Sequence, residues 1–129
     1  MSYTIDRAFT GEIFDNVVER TRAALSEKGF GVLTEINVKS TLKKKIDVDV
    51  LNYLIFGACN PSMAHEAMKI EPRVGAMLPC NVIIRSTSED AIEVSAVDPI
   101  ASMAAIDNEQ LKSVASQVRG MLEEVVANI

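Results

Sequence analysis

The strongest constraint on this chain is a pair of long amphipathic stripes with alternating apolar segments between them. Ile13, Phe14, Val17, Val18, Ala24 and Leu25 recur at helical spacing near the start. Leu111, Val114, Ala115, Val118, Met121, Leu122 and Val125 do the same near the end. Each stripe predicts a helix that must bury one face. The first is expected over residues 11–28, with Thr10 as its cap and Gly29 closing it in the left-handed conformation. The second has Asp107 as its cap, Gln110 completing a capping box, and Ile106 and Leu111 as a hydrophobic staple.

Five segments read as strands. Tyr3, Ile5 and Phe9 alternate with polar or small residues, and Phe30, Val32, Ile36 and Val38 follow the same period. Leu51 to Cys59 is a continuous apolar run, as in a buried strand. Val82 and Ile84 alternate with Asn81 and Arg85, and Ile92, Val94 and Ala96 define the last strand. Leu42 and Ile46, four apart, suggest a short helix within 40–47. Asn60-Pro61 starts another, with asparagine at the cap and proline in the first turn. Met63, Ala64, Ala67 and Met68 form its buried stripe, and Pro72 ends it. Residues 73–79 read as a turn or extended linker.

This order, strand, helix, four strands, helix, with short inserted helices, predicts an α+β fold. A mostly antiparallel, curved sheet packs one face on the two long helices. The other face is wet, or covered by the short helices or a second copy. The apolar residues 54–56 favour a cover, so a homodimer is expected.

With 129 residues the chain fits a single domain spanning 1–129. No apolar run is long enough to span a bilayer, and no basic segment followed by an apolar one marks a signal peptide. A cytoplasmic protein with free thiols is expected, and no membrane partner. The net charge of −5, four Phe, two Tyr and no Trp argue against nucleic acid. Lys39, Lys43, Lys44 and Lys45 are followed at once by Asp47 and Asp49, as on a solvated mixed-charge surface.

Standard catalytic patterns are missing. There is no dinucleotide or phosphate-loop glycine pattern and no nucleophile elbow. The single histidine, His65, falls on the polar face of a short helix. A structural zinc site wants four nitrogen or sulfur ligands, usually from paired motifs, and neither pairing occurs, so no metal is assigned. Met63, Met68, Met77 and Met103 could in principle add thioethers for a soft metal, but helical spacing makes Met63 and Met68 core residues.

The chemistry that remains is concentrated in Gly57-Ala58-Cys59-Asn60-Pro61 and Leu78-Pro79-Cys80-Asn81-Val82, which hold both cysteines. Cys80 shares strand parity with Val82 and Ile84 and should point into the core. Cys59 immediately precedes a helix cap, a setting that favours thiol reactivity. Both also fit the bland role of small buried hydrophobes, and a disulfide between them stays open. Asp98, before Pro99, can order the following loop by accepting from backbone N–H groups.

These segments, with Tyr53, Ile55, Ala64, Ala67, Glu71-Pro72, Gly75 and Val97-Asp98-Pro99, resemble the domain-of-unknown-function family 302 along nearly the whole chain. The resemblance implies small prokaryotic proteins, an α+β fold like that of the TATA-binding protein, and dimers. It brings no established reaction. The family residues it carries over are Cys59, Asn60, Pro61, Glu71, Pro72, Pro79, Cys80, Asp98 and Pro99. The function is therefore unknown, and neither a catalytic residue nor a cofactor is assigned. The preferred reading is a non-catalytic module for a small or soft ligand, with Cys59, Asn60, Cys80, Asn81 and Asp98 as candidate contacts. A structural protein acting through homodimerisation comes second. Thiol chemistry at Cys59 comes third.

Overall fold

The computed structural model describes residues 2–129. Five strands form one antiparallel sheet: β1 (Thr4–Thr10), β2 (Gly31–Asn37), β3 (Tyr53–Cys59), β4 (Cys80–Ser88) and β5 (Ala91–Val97), in the spatial order β1-β5-β4-β3-β2. β1 and β2 are thus the two edges. Helix α1 (Phe14–Glu27) joins one edge to the other, and α5 (Glu109–Ala127) follows the last strand. Both pack on the same face. The expected α+β architecture, an open curved sheet under two long helices, is what the chain adopts.

The register explains the core. Phe56 lies opposite Val82, and Val82 opposite Ala96; Leu54, Ile84 and Val94 form the next such row. These six side chains face the helix layer and are buried. They meet Val17, Val18 and Leu25 of α1 and Val118, Leu122 and Val125 of α5. Arg7, also facing the helices, donates to the carbonyls of Val126 (3.2 Å), Ala127 (2.9 Å) and Ile129 (3.1 Å), satisfying the end of α5. Lys28 and Glu124 pair α1 with α5.

Several local expectations need correction. Thr10 is still in β1, and α1 starts after Ile13, an exposed residue whose side chain has no group to cap the helix. Gly29 does end α1 at φ +80°, and Phe30 N–H donates to Leu25 O (3.0 Å), the wide bond of a Schellman turn. The cap of α5 is Asn108, whose Oδ1 accepts from Leu111 N–H (3.0 Å). Asp107 is left in solvent because the turn Met103–Asn108 sets Asn108, not its neighbour, extended before the helix. The segment after Pro72 is a 3-10 helix (Pro72–Met77), not a linker.

β2 departs most. Val32 pairs with Ala58 but Thr34 pairs with Gly57, so Leu33 is an extra residue that reverses the facing of everything beyond it. Ile36 therefore lies on the open face beside Ile55, and the helix-facing positions become Glu35 and Asn37. Glu35 is answered by Arg22 of α1 (2.7 Å), whose guanidinium lies over the Phe56 ring. Asn37 caps the next helix, α2 (Val38–Ile46), by accepting from Ser40 N–H (3.0 Å), so Val38 opens a helix instead of extending the strand. None of the residues of α2 is buried.

Candidate functional site

Helix α3 (Pro61–Ile70) starts where β3 ends. Asn60 caps it, its Oδ1 accepting from Met63 N–H (3.3 Å), and its Nδ2 donates across to Lys28 O at the end of α1 (3.2 Å). Ala64 and Ala67 of α3 are buried, but Met68 is exposed, so the stripe is narrower than its spacing predicts. His65 is exposed on the outer side, as its position on the helix requires.

Cys80 opens β4 opposite Ala58 and is buried, its side chain on the helix side as strand parity predicts. Cys59 ends β3 opposite Gly31 and is half-buried. Both are free thiols and both line one cavity of about 30 Å³ between the end of the sheet, α3 and α5. Its other walls include Phe30, Met63, Ala67, Leu78, Met103, Ala115 and Val118. The space is that of a water molecule or an ion, but a buried water needs two to four polar partners and the walls are almost wholly apolar. Burial, and then the nearby Cys59, push the Cys80 thiol up to about 11, so it is protonated at neutral pH and a poor nucleophile.

The other candidates are placed elsewhere. Asn81 is opposite Gly57 on the open face, where it borders a shallow saddle of about 580 Å³ with Tyr53, Ile83, Arg85, Glu93 and Ser95. Arg85 and Glu93 form an ion pair across it (2.8 Å). Between saddle and cavity the sheet is sealed: a Cβ on Gly57 would overlap Thr34 and come within 2.8 Å of the Pro79 ring. Asp98 orders the next turn as expected. One oxygen accepts from Ile100 N–H (2.9 Å), capping α4 (Pro99–Ser102), and the other accepts from Arg119 Nε (2.9 Å). The structure thus joins Cys59, Asn60 and Cys80 and leaves Asn81 and Asp98 outside the cavity.

Met63 and Met103 are wall residues that the sequence reading did not place there. Met63, three residues after the Asn60 cap, could have been found from its place in the first turn of a helix that begins beside Cys59. Met103 had no local signal; the turn after α4 brings it in. Among the described residues, no three His, Cys, Asp or Glu side chains gather as a metal site. No helix there is long and apolar enough to cross a membrane.

The layers and the cavity define an α+β protein of two layers, with helices on one face of an open antiparallel sheet. The chain matches the model of the family described as domain of unknown function DUF302 over residues 8–129, and it belongs to that family. It is similar in structure to an uncharacterized conserved protein DUF302 from Bacillus stearothermophilus, at 20% identity and a TM-score of 0.91, over 99% of this chain and 98% of that one. At that identity the likeness establishes the fold. No curated protein matches the chain.

Proposed function

We propose that this protein is a non-catalytic binding module that holds a small, soft ligand beside Cys59 and Cys80. One observation carries the reading: two thiols from different strands border a single apolar cavity with no charged side chain in its walls. The groups that acid–base catalysis would need lie elsewhere. His65 is exposed on α3, and the Asp98 carboxylate is engaged by Arg119 and a helix start. A protonated, buried Cys80 also disfavours a thiol-exchange enzyme. Free cysteines fit a cytoplasmic setting. Native mass spectrometry of gently purified protein tests this. A bound mass that is lost when Cys59 is alkylated is the expected result, and a clean ligand-free mass would sink the reading.

A second reading, homodimerisation, has its own support. Val38 and Leu42 of α2, with Val50, Leu51 and Tyr53, line an open groove of about 700 Å³. Ile36, Ile46, Val48 and Leu51 are exposed around it. Lys39, Lys44, Asp47 and Asp49 give the same edge both signs of charge, as a self-complementary two-fold contact needs. Sedimentation velocity would decide: a monomer throughout the micromolar range removes this reading.

A further inference from the structure

We infer that a small, uncharged apolar molecule of about benzene's size binds where the two hydrophobic cores of this chain meet, with the Met103 side chain as the movable partition of its pocket. The inference rests on the binding-module reading and names its ligand class.

The buried core falls into two clusters. The larger lies between the sheet and the two long helices. The smaller joins Ala67 of α3, Val74, Met103, and Leu111 and Ala115 of α5. Leu78 and Val114, both partly buried, pack against each of them. The cavity sits at this seam. Phe30, Ala58 and Val118 reach it from the larger cluster, and Ala67, Met103 and Ala115 from the smaller.

Beyond Met103 lies a second space, a depression of about 280 Å³ between α4 and the start of α5. Ile100, 40% exposed, carries its lining to the surface. Met103 and Ala115 border both spaces. Ala115 is a lone methyl fixed on a helix, whereas Met103 is unbranched and can change rotamer readily. The backbone bonds of Met103 are local: its N–H donates to Pro99 O (3.0 Å), and its carbonyl accepts from Ile106 N–H (3.0 Å). Apolar packing therefore holds its side chain between the two spaces. The cavity alone, at about 30 Å³, takes nothing larger than a water molecule. Joined to the depression, it reaches the lower end of ligand-pocket sizes, roughly 300 Å³.

The walls choose the chemistry. The cavity has no charged side chain, and its one side-chain amide, that of Asn60, is taken by Met63 N–H and Lys28 O. A polar ligand would lose its water there and gain no partner. The depression has one charge, Lys112, already 3.4 Å from Glu109 and 3.8 Å from Asp107. An anion at its mouth would meet two carboxylates along with the ammonium. An apolar molecule meets neither cost, and apolar cavities stay dry and take up benzene.

The test is a titration of the full chain with benzene, followed by amide ¹H–¹⁵N spectra, with benzoate as the charged control. Saturable shifts at Ala67, Met103 and Ala115 are expected with benzene and not with benzoate. Met103→Ala removes the partition, so the ligand no longer waits on a minor rotamer, and affinity should rise at least about tenfold. Ala64→Val adds methyl groups to the inner cavity and should abolish the shifts. Circular dichroism checks folding; should Met103→Ala fail to fold, the wild type and Ala64→Val decide. No saturable shifts in the wild type, or shifts that survive Ala64→Val, overturn the site. Unchanged affinity in folded Met103→Ala overturns the partition, and equal binding of benzoate overturns the uncharged class. No benzene binding, with a bound mass still seen by native mass spectrometry, overturns the apolar assignment alone. No benzene binding and a clean ligand-free mass overturn the binding-module reading as well.

Discussion

The cysteine cavity and the α2 edge treat apolar surface in opposite ways. At the cavity, small side chains from β3, α3 and α5 close around a space too small for an ordinary metabolite, and the polar groups nearby are spent on holding the walls together. At the α2 edge, a helix with an apolar side buries no residue, and Ile46 is 63% exposed. The first region is finished within one chain. The second has surface left over. Any ligand for the first would have to be small, whereas any partner for the second would have to be large and need only match shape and charge.

The sharpest way to break this contrast is to place the same charge in each region. Ala58 is fully buried against the cavity, so Ala58→Asp should cost about 4 kcal/mol or more and abolish cooperative unfolding. Ile36, on the open face near α2, is 48% exposed, and Ile36→Asp should cost about 1 kcal/mol or less. Urea denaturation of the two variants measures the gap, and equal losses would mean that the two regions are not different in kind.

The pH dependence of stability sharpens the cavity side. The ordinary thiol value is 9.0 and that of Cys80 is about 11 in the folded chain, chiefly through burial. Below the lower value the thiol is protonated whether the chain is folded or not. Between the two, the unfolded chain releases the proton and the folded chain keeps it, so stability falls as pH rises through that window. The part due to Cys80 is roughly 2–3 kcal/mol. Wild type should lose about that much more than Cys80→Ala between about pH 8 and about pH 11 in urea titrations. Parallel losses would show that the cavity does not desolvate the thiol.

How much of this was legible in the sequence follows from the range of the forces involved. The two helix stripes, the existence and order of the five strands, the Asn60 cap and the Gly29 stop are local patterns, and they are present, with β3 beginning at Tyr53 and β2 departing from its expected facing. The inward direction of Cys80 was legible for the same reason, since strand parity is local. The Leu33 bulge was not, because nothing in Gly31–Asn37 announces which residue β3 will skip, and it moved Ile36 to the opposite face. The α5 cap slipped from Asp107 to Asn108 because two adjacent residues can each cap and only the preceding turn chooses between them. Met103 reached the cavity through the packing of α4, which no spacing encodes. Asn81 looked like a site residue because it adjoins Cys80, and Asp98 because it precedes Pro99 in a family motif, yet one faces across the sheet and the other is held by Arg119.

Asn60 tests whether the cavity wall is held by the bonds seen at its rim. Asn60→Ala removes both the cap and the link to Lys28 O, and about 2 kcal/mol should be lost. Asn60→Asp keeps the acceptor for Met63 N–H and gains from the helix dipole, but sets an oxygen against the Lys28 carbonyl. Its net cost should be smaller, about 1 kcal/mol. Thermal denaturation orders the pair, and an aspartate variant less stable than the alanine one would show that the contact to Lys28 outweighs the cap.

The smallest effect on the single chain should come from Ile46→Glu. Ile46 ends α2 and touches no buried core, so unfolding measured at a concentration where the protein is monomeric should change by about 0.5 kcal/mol or less. The consequence belongs to the association equilibrium. If a second copy covers the α2 edge, the glutamate must be buried without a partner in the contact, and the dimer should dissociate while the monomer stays folded. Sedimentation and denaturation on the same samples separate the two effects. A dimer that survives Ile46→Glu unchanged would put the two-fold contact elsewhere, leaving the exposed side of α2 as plain surface and removing one half of the contrast with the cavity.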